Sequence, residues 1–73
     1  SDGRTASYYE LPEGATELYH LINFKNMGGN IAEAFRSLYR YGESSHSDKA
    51  RDLNKVMAYC KFEQERLEKY ETK

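Results

Sequence analysis

Apolar residues recur along this chain at intervals of three and four, in three blocks separated by turn-forming residues. In the first block Leu18, Leu21 and Ile22, with Lys25, mark one helical face just after Thr16 and Glu17. A threonine at the cap and an acid at the positive end of the helix predict a helix over about 16–25. Gly28-Gly29 is expected to end it and turn the chain. Ahead of it, Tyr8, Tyr9 and Leu11 precede the turn signal Pro12-Glu13-Gly14 and are expected to fold back over the core.

The second block, "MGGNIAEAFRSLYRYGE" over 27–43, is the best specified. Asn30 followed by Glu33 has the form of a capping box, and Gly42 supplies a left-handed residue past the end. At about 100° per residue, Tyr41, Ala34, Leu38, Ile31, Phe35 and Tyr39 form one apolar arc. Glu33, Arg36, Arg40 and Ser37 fill the rest. After the polar loop Glu43-Ser44-Ser45-His46, Ser47 is expected to cap a third helix, with Asp48 in its first turn.

That third helix is expected to reach about Tyr70, a length of roughly 35 Å. Its main apolar stripe is Ala50, Leu53, Val56, Met57, Cys60 and Leu67, read as the core-facing side. Tyr59 and Phe62 fall on the other side beside Arg51, Lys55 and Arg66. An aromatic there calls for cover, either from the first segment or from another subunit.

Length sharpens this picture. A chain of 73 residues buries only about 60% of its unfolded surface. Its core is therefore thin, and a homodimer or higher oligomer is expected. Residues 1–7 are expected to be disordered, 8–67 to form one helical domain, and 68–73 to fray. The lone cysteine, Cys60, cannot form an intramolecular disulfide and fits a small hydrophobe in a reducing compartment. No run of about 18 apolar residues and no signal-peptide pattern occurs, so no membrane role is expected.

A net charge of −1 disfavours nucleic acid, whose binding requires a basic excess. The charge is uneven, however. Residues 36–61 carry Arg36, Arg40, Lys49, Arg51, Lys55 and Lys61 against Glu43, Asp48 and Asp52. Such a middle suits a small anion or an acidic protein surface.

The candidate chemistry is sparse. Arg36 and Arg40, one turn apart, suit a phosphate or carboxylate, as does Gly28-Gly29-Asn30 at a helix start. A solvated face, with Glu33 pairing Arg36, explains the same arginines. His20, His46 and Cys60 lack metal-ligand spacing, so no metal is expected. There is no P-loop and no nucleophile signature. Tyr59, Phe62, Arg66 and Lys55 form an aromatic-basic face of the kind found in interfaces, with Tyr39 as a further contact candidate.

The segments "ELYHLINF", "AFRSLYRYGE" and "DLNKVMAYCKFE" together resemble a family of small bacteriophage proteins of unknown function. It includes SaV-like proteins and phage nucleotide kinases that lack a P-loop. The resemblance covers about residues 8–67. Glu17 stands at the family's acid, and Ala34-Phe35-Arg36 and Leu38-Tyr39-Arg40 stand at its Ala-Phe-Lys and Leu-Trp-Arg. Gly42 stands at its closing glycine, and Asp52-Leu53, Lys55 and Tyr59 at its last block. Two positions depart: Ala32-Glu33 replaces Gly-Asn, and His20 replaces an aspartate. If those positions serve chemistry, the fold is kept without the activity.

The expected fold is all-α, two short helices packed on one long C-terminal helix with an extended N-terminal segment. The resemblance implies a phage-encoded accessory protein in the cytoplasm of the infected bacterial host, acting by binding a host or phage protein. The alternative it implies is a nucleotide-binding or nucleotide kinase-like protein. In that case Arg36, Arg40 and Lys55 grip phosphates, Glu17 or Asp52 supplies an acid, and magnesium arrives only with the nucleotide.

Overall fold

The computed structural model describes residues 6–46 and 48–71, and within them the chain is all-helical. A short 3₁₀ turn at Ser7–Tyr9 leads into an extended stretch. Helices α1 (Leu18–Phe24), α2 (Gly29–Tyr39) and α3 (Lys49–Arg66) follow, and a π-helical turn at Leu67–Glu71 extends α3. The cap expected at Ser47 lies outside the described residues, as do 1–5 of the expected disordered 1–7 and 72–73 of the expected frayed 68–73.

Each boundary has a local cause. Between the 3₁₀ turn and α1, Gly14 takes φ +77° while the N–H of Ala15 donates to the carbonyl of Pro12. That left-handed residue is what glycine supplies at low cost. The start of α1 is two residues later than expected. Its cap is Glu17 rather than Thr16, with Glu17 and His20 forming a reciprocal capping box. In it the backbone N–H groups of Thr16 and Glu17 donate to His20 Nδ1 at 3.0 and 3.2 Å.

The helix ends at Lys25, and it is Asn26, at φ +52°, that reverses the chain rather than Gly28-Gly29. Asparagine tolerates this conformation because its short polar side chain can bond locally. Gly28 instead serves as the N-cap of α2, so the capping box expected from Asn30 and Glu33 does not form. Asn30 already lies inside the helix, and its side chain reaches across to Glu63. Gly42, at φ +72°, does close the segment as expected. Asp48 is the cap of α3 rather than a first-turn residue; its carboxylate accepts the N–H of Arg51 at 2.8 Å.

The long C-terminal helix packs against the rest, most extensively against α2. The two run antiparallel. Asn30 meets Glu63 at one end, and Gly42, just past α2, meets Asp52 at the other. Between these ends the buried positions of α2 are Ala32, Ala34 and Ser37, all small. Small residues let two backbones approach closely, but they bury little apolar area, so the hydrophobic contribution is modest.

This overturns two expected faces. On α2, Ile31, Leu38, Tyr39 and Tyr41 of the predicted arc are exposed, whereas Ala34 is buried and Phe35 half-buried. On α3 the side turned to α2 is Asp52, Lys55, Val56, Tyr59 and Glu63. Leu53, Met57, Cys60 and Leu67, read from sequence as core, are exposed. The physical reason is the clasp between Asp52 and Gly42. A carboxylate that satisfies a backbone donor fixes the rotation of α3, and the apolar stripe is carried about a quarter-turn away from α2.

At the N-terminal end, Lys25 Nζ donates to the carbonyl of Tyr8 at 2.6 Å and lies 5.8 Å from the Phe24 ring centroid. Tyr8, Tyr9, Leu11, Leu21, Phe24, Met27 and Phe35 thereby line a largely apolar cleft of about 210 Å³. The segment folds toward α1 as expected, yet Tyr8, Tyr9 and Leu11 themselves remain exposed.

Candidate functional site

Of the three candidate phosphate-gripping cations, Arg36 and Arg40 stand beside carboxylates. Arg36 donates to Glu33 at 2.8 Å, an i,i+3 pair on the exposed side of α2. Such a pair contributes little to stability, but it occupies the guanidinium. Arg40 stands 3.9 Å from Asp52 Oδ1 through Nη2. Asp52 itself is fully buried, 0% exposed, and its Oδ2 accepts the N–H of Gly42 at 2.7 Å. Lys55, half-buried on α3, belongs to the side that faces α2. Glu17 is used by the α1 capping box.

Arg40 and Gly42, two residues apart, are brought together with Asp52 by the fold. Their shared job here is a clasp joining the end of α2 to the first turn of α3. Asp52 also sits where the positive end of the α3 dipole favours a carboxylate. Sequence reading placed Asp52 only as a possible acid. A buried aspartate ten residues after a left-handed glycine was the available signal for the clasp.

The start of α2 borders an open cleft of about 560 Å³, lined by Lys25, Gly28, Gly29, Asn30, Glu63 and Arg66 among others. Backbone donors and two cations there resemble an anion cradle. The cleft, however, has its own anion in Glu63. Glu63 accepts from Asn30 Nδ2 at 3.2 Å and from Arg66 Nε and Nη2 at 3.0 and 2.8 Å. Arg66, and then Asn30, hold the Glu63 carboxyl below the usual carboxylate range, with partial burial opposing them. Arg66 is raised in turn by Glu63 and then by Glu71, which accepts from its Nη1 at 2.9 Å.

The contact candidates divide. Tyr59 and Phe62 meet edge to face, with ring centroids 5.8 Å apart. Tyr59 is half-buried and Phe62 about half-exposed. Arg66 is neutralised one turn on. Tyr39 is not with them; it borders a small cleft with Leu11, Leu18 and Leu21 and is 68% exposed.

Among the described residues no group of three or more His, Cys, Asp or Glu is placed to hold a metal ion. No helix among them is long and apolar enough to cross a membrane. Compared with protein-family models, curated proteins and solved structures, the chain matches none.

Proposed function

We propose that this chain is a small phage-encoded accessory protein that acts by binding another protein, of the host or of the phage, without chemistry of its own. The observation that carries the reading is the distribution of apolar residues. Among the described residues the buried apolar side chains are Ile22, Ala32 and Ala34, while Tyr19, Phe24, Leu38, Tyr39, Met57 and Phe62 are exposed. A fold that leaves its large side chains outside and its small ones inside has its contact energy still to spend on a partner.

Phe62 is the anchor we assign to that contact. It is already oriented by Tyr59, so little rotamer freedom is lost when a partner covers it. The nucleotide reading is the weaker one, because Arg36, Arg40 and Arg66 each have a carboxylate beside them and Glu17 is a cap.

The test has two arms. Wild-type protein and a Phe62→Glu variant are used as baits in lysate from infected cells. The expected result is a protein retained by the wild type and lost by the variant, which then binds purified wild type with a saturable isotherm. In parallel, ¹⁵N–¹H spectra are titrated with deoxynucleoside monophosphates and Mg·ATP. Saturable shifts clustered on Arg36, Arg40 and Lys55 would overturn the reading in favour of nucleotide binding.

A further inference from the structure

The stripe that the Asp52 clasp turns away from α2 has a period of its own. Ala50, Leu53, Met57, Cys60, Gln64 and Leu67 are spaced 3, 4, 3, 4, 3, the a/d repeat of a coiled-coil seam. Nothing in the described fold covers it: Met57 is 61%, Leu53 43% and Leu67 42% exposed, and Cys60 is exposed as well. We infer that α3 pairs through this seam with α3 of a second copy of the chain, in antiparallel register.

Self-complementarity selects both the occupant and the direction. Setting Met57 opposite the partner's Cys60 places Leu53 opposite the partner's Gln64 and Ala50 opposite the partner's Leu67. By two-fold symmetry every layer occurs twice. Large then faces small in the central and outer layers, which is how facing helices fill the space between them. On the open flank Lys61 comes beside the partner's Asn54, while Val56 and Glu63 on the other flank are turned to α2. No like charges meet. A parallel pair would set Met57 on Met57, Gln64 on Gln64 and Ala50 on Ala50. That arrangement leaves large on large at one layer, small on small at another and a buried pair of like polar side chains.

The seam ends where α3 passes into its π-helical turn at Leu67, so the pairing spans one 18-residue helix, about 27 Å long. A contact of this length makes a reversible dimer. It is independent of the partner contact. At 100° per residue Phe62 lies on the opposite flank of α3, so Phe62→Glu is expected to leave the dimer intact.

Sedimentation equilibrium of the intact chain, from micromolar to about 1 mM, is the first measurement. The expected result is a monomer–dimer equilibrium that Met57→Glu weakens at least tenfold. Circular dichroism should show an unchanged helix, since Met57 is exposed and glutamate is as good a helix former. Direction is read with Met57→Cys. Mild oxidation should give dimers whose disulfides map between position 57 of one chain and Cys60 of the other. A monomer throughout the range, a dimer indifferent to Met57→Glu, or crosslinks only between like positions would each overturn the inference.

Discussion

The backbone N–H of Gly42 donates to Asp52 Oδ2 at 2.7 Å, and this bond ties the end of α2 to the first turn of α3. It is made to a carboxylate with no exposed surface, so removing that carboxylate removes the hydrogen bond and leaves a void in the α2–α3 contact. Asp52→Ala should destabilise the domain by about 3 kcal/mol. For a chain of this size that is a large share of the total, roughly 4–10 kcal/mol. Urea melts of the variant and of Arg40→Met separate the hydrogen bond from the ion pair. The arginine change, at 3.9 Å and partly exposed, should cost less.

Gly42 and Gly29 make an opposed pair of substitutions. Gly42→Ala should cost about 1–2 kcal/mol for its φ of +72°. The new Cβ would also meet Lys49 Cγ at 2.7 Å, close to the root of that side chain, so the whole lysine must move and the cost rises. Gly29→Ala meets nothing within 4 Å and sits in the first turn of α2 at negative φ. It should stabilise by up to about 0.5 kcal/mol through reduced freedom of the unfolded chain. Thermal melts of both should move in opposite directions.

The Asn30–Glu63–Arg66 tie predicts an acid-sensitive loss of stability. The folded Glu63 carboxyl lies below its unfolded value, with the Arg66 hydrogen bonds as the main cause. Its contribution is therefore complete above the unfolded range near pH 4.3 and is lost as pH falls through the lower folded value. Melts from about pH 6 down to about pH 2 should show this fall. Glu63→Gln should flatten it while leaving the high-pH stability reduced. An unchanged slope in Glu63→Gln would mean that another carboxylate carries it.

Asp48 caps α3 alone, so Asp48→Ala should cost about 1 kcal/mol and fray the first turn. Amide exchange at Arg51, whose N–H the cap accepts, is the local reporter. A rise there with no change at Tyr59 is the expected pattern.

The helices were legible because their signals are local. The glycine at 42, the polar loop after it and the length of the last helix all follow from residues close together in sequence. The rotation of α3 was not legible. Hydrophobic periodicity identifies a stripe but not what the stripe faces, and here two separate sides of one helix carry apolar residues. The choice between them was made by Asp52, a single charged residue whose partner is a backbone group ten positions away. The candidate cations failed for a related reason. The Glu33–Arg36 pair is local and legible in the sequence, whereas Arg40 meets Asp52, twelve positions away, only once the chain is folded.

The two polar ties at opposite ends of the α2–α3 pair also bear on how the chain reaches this state. The Gly42–Asp52 tie closes a loop of only ten residues, and once it forms the two helices can pair progressively out to Asn30 and Glu63. Sliding one helix along the other by a single turn breaks both ties at once, and the small residues between them offer no compensating apolar contact. Misregistered pairings are therefore poor traps. The helical hairpin should assemble early and in one alignment, leaving the segment held by Lys25 and Tyr8 to dock onto a scaffold already formed.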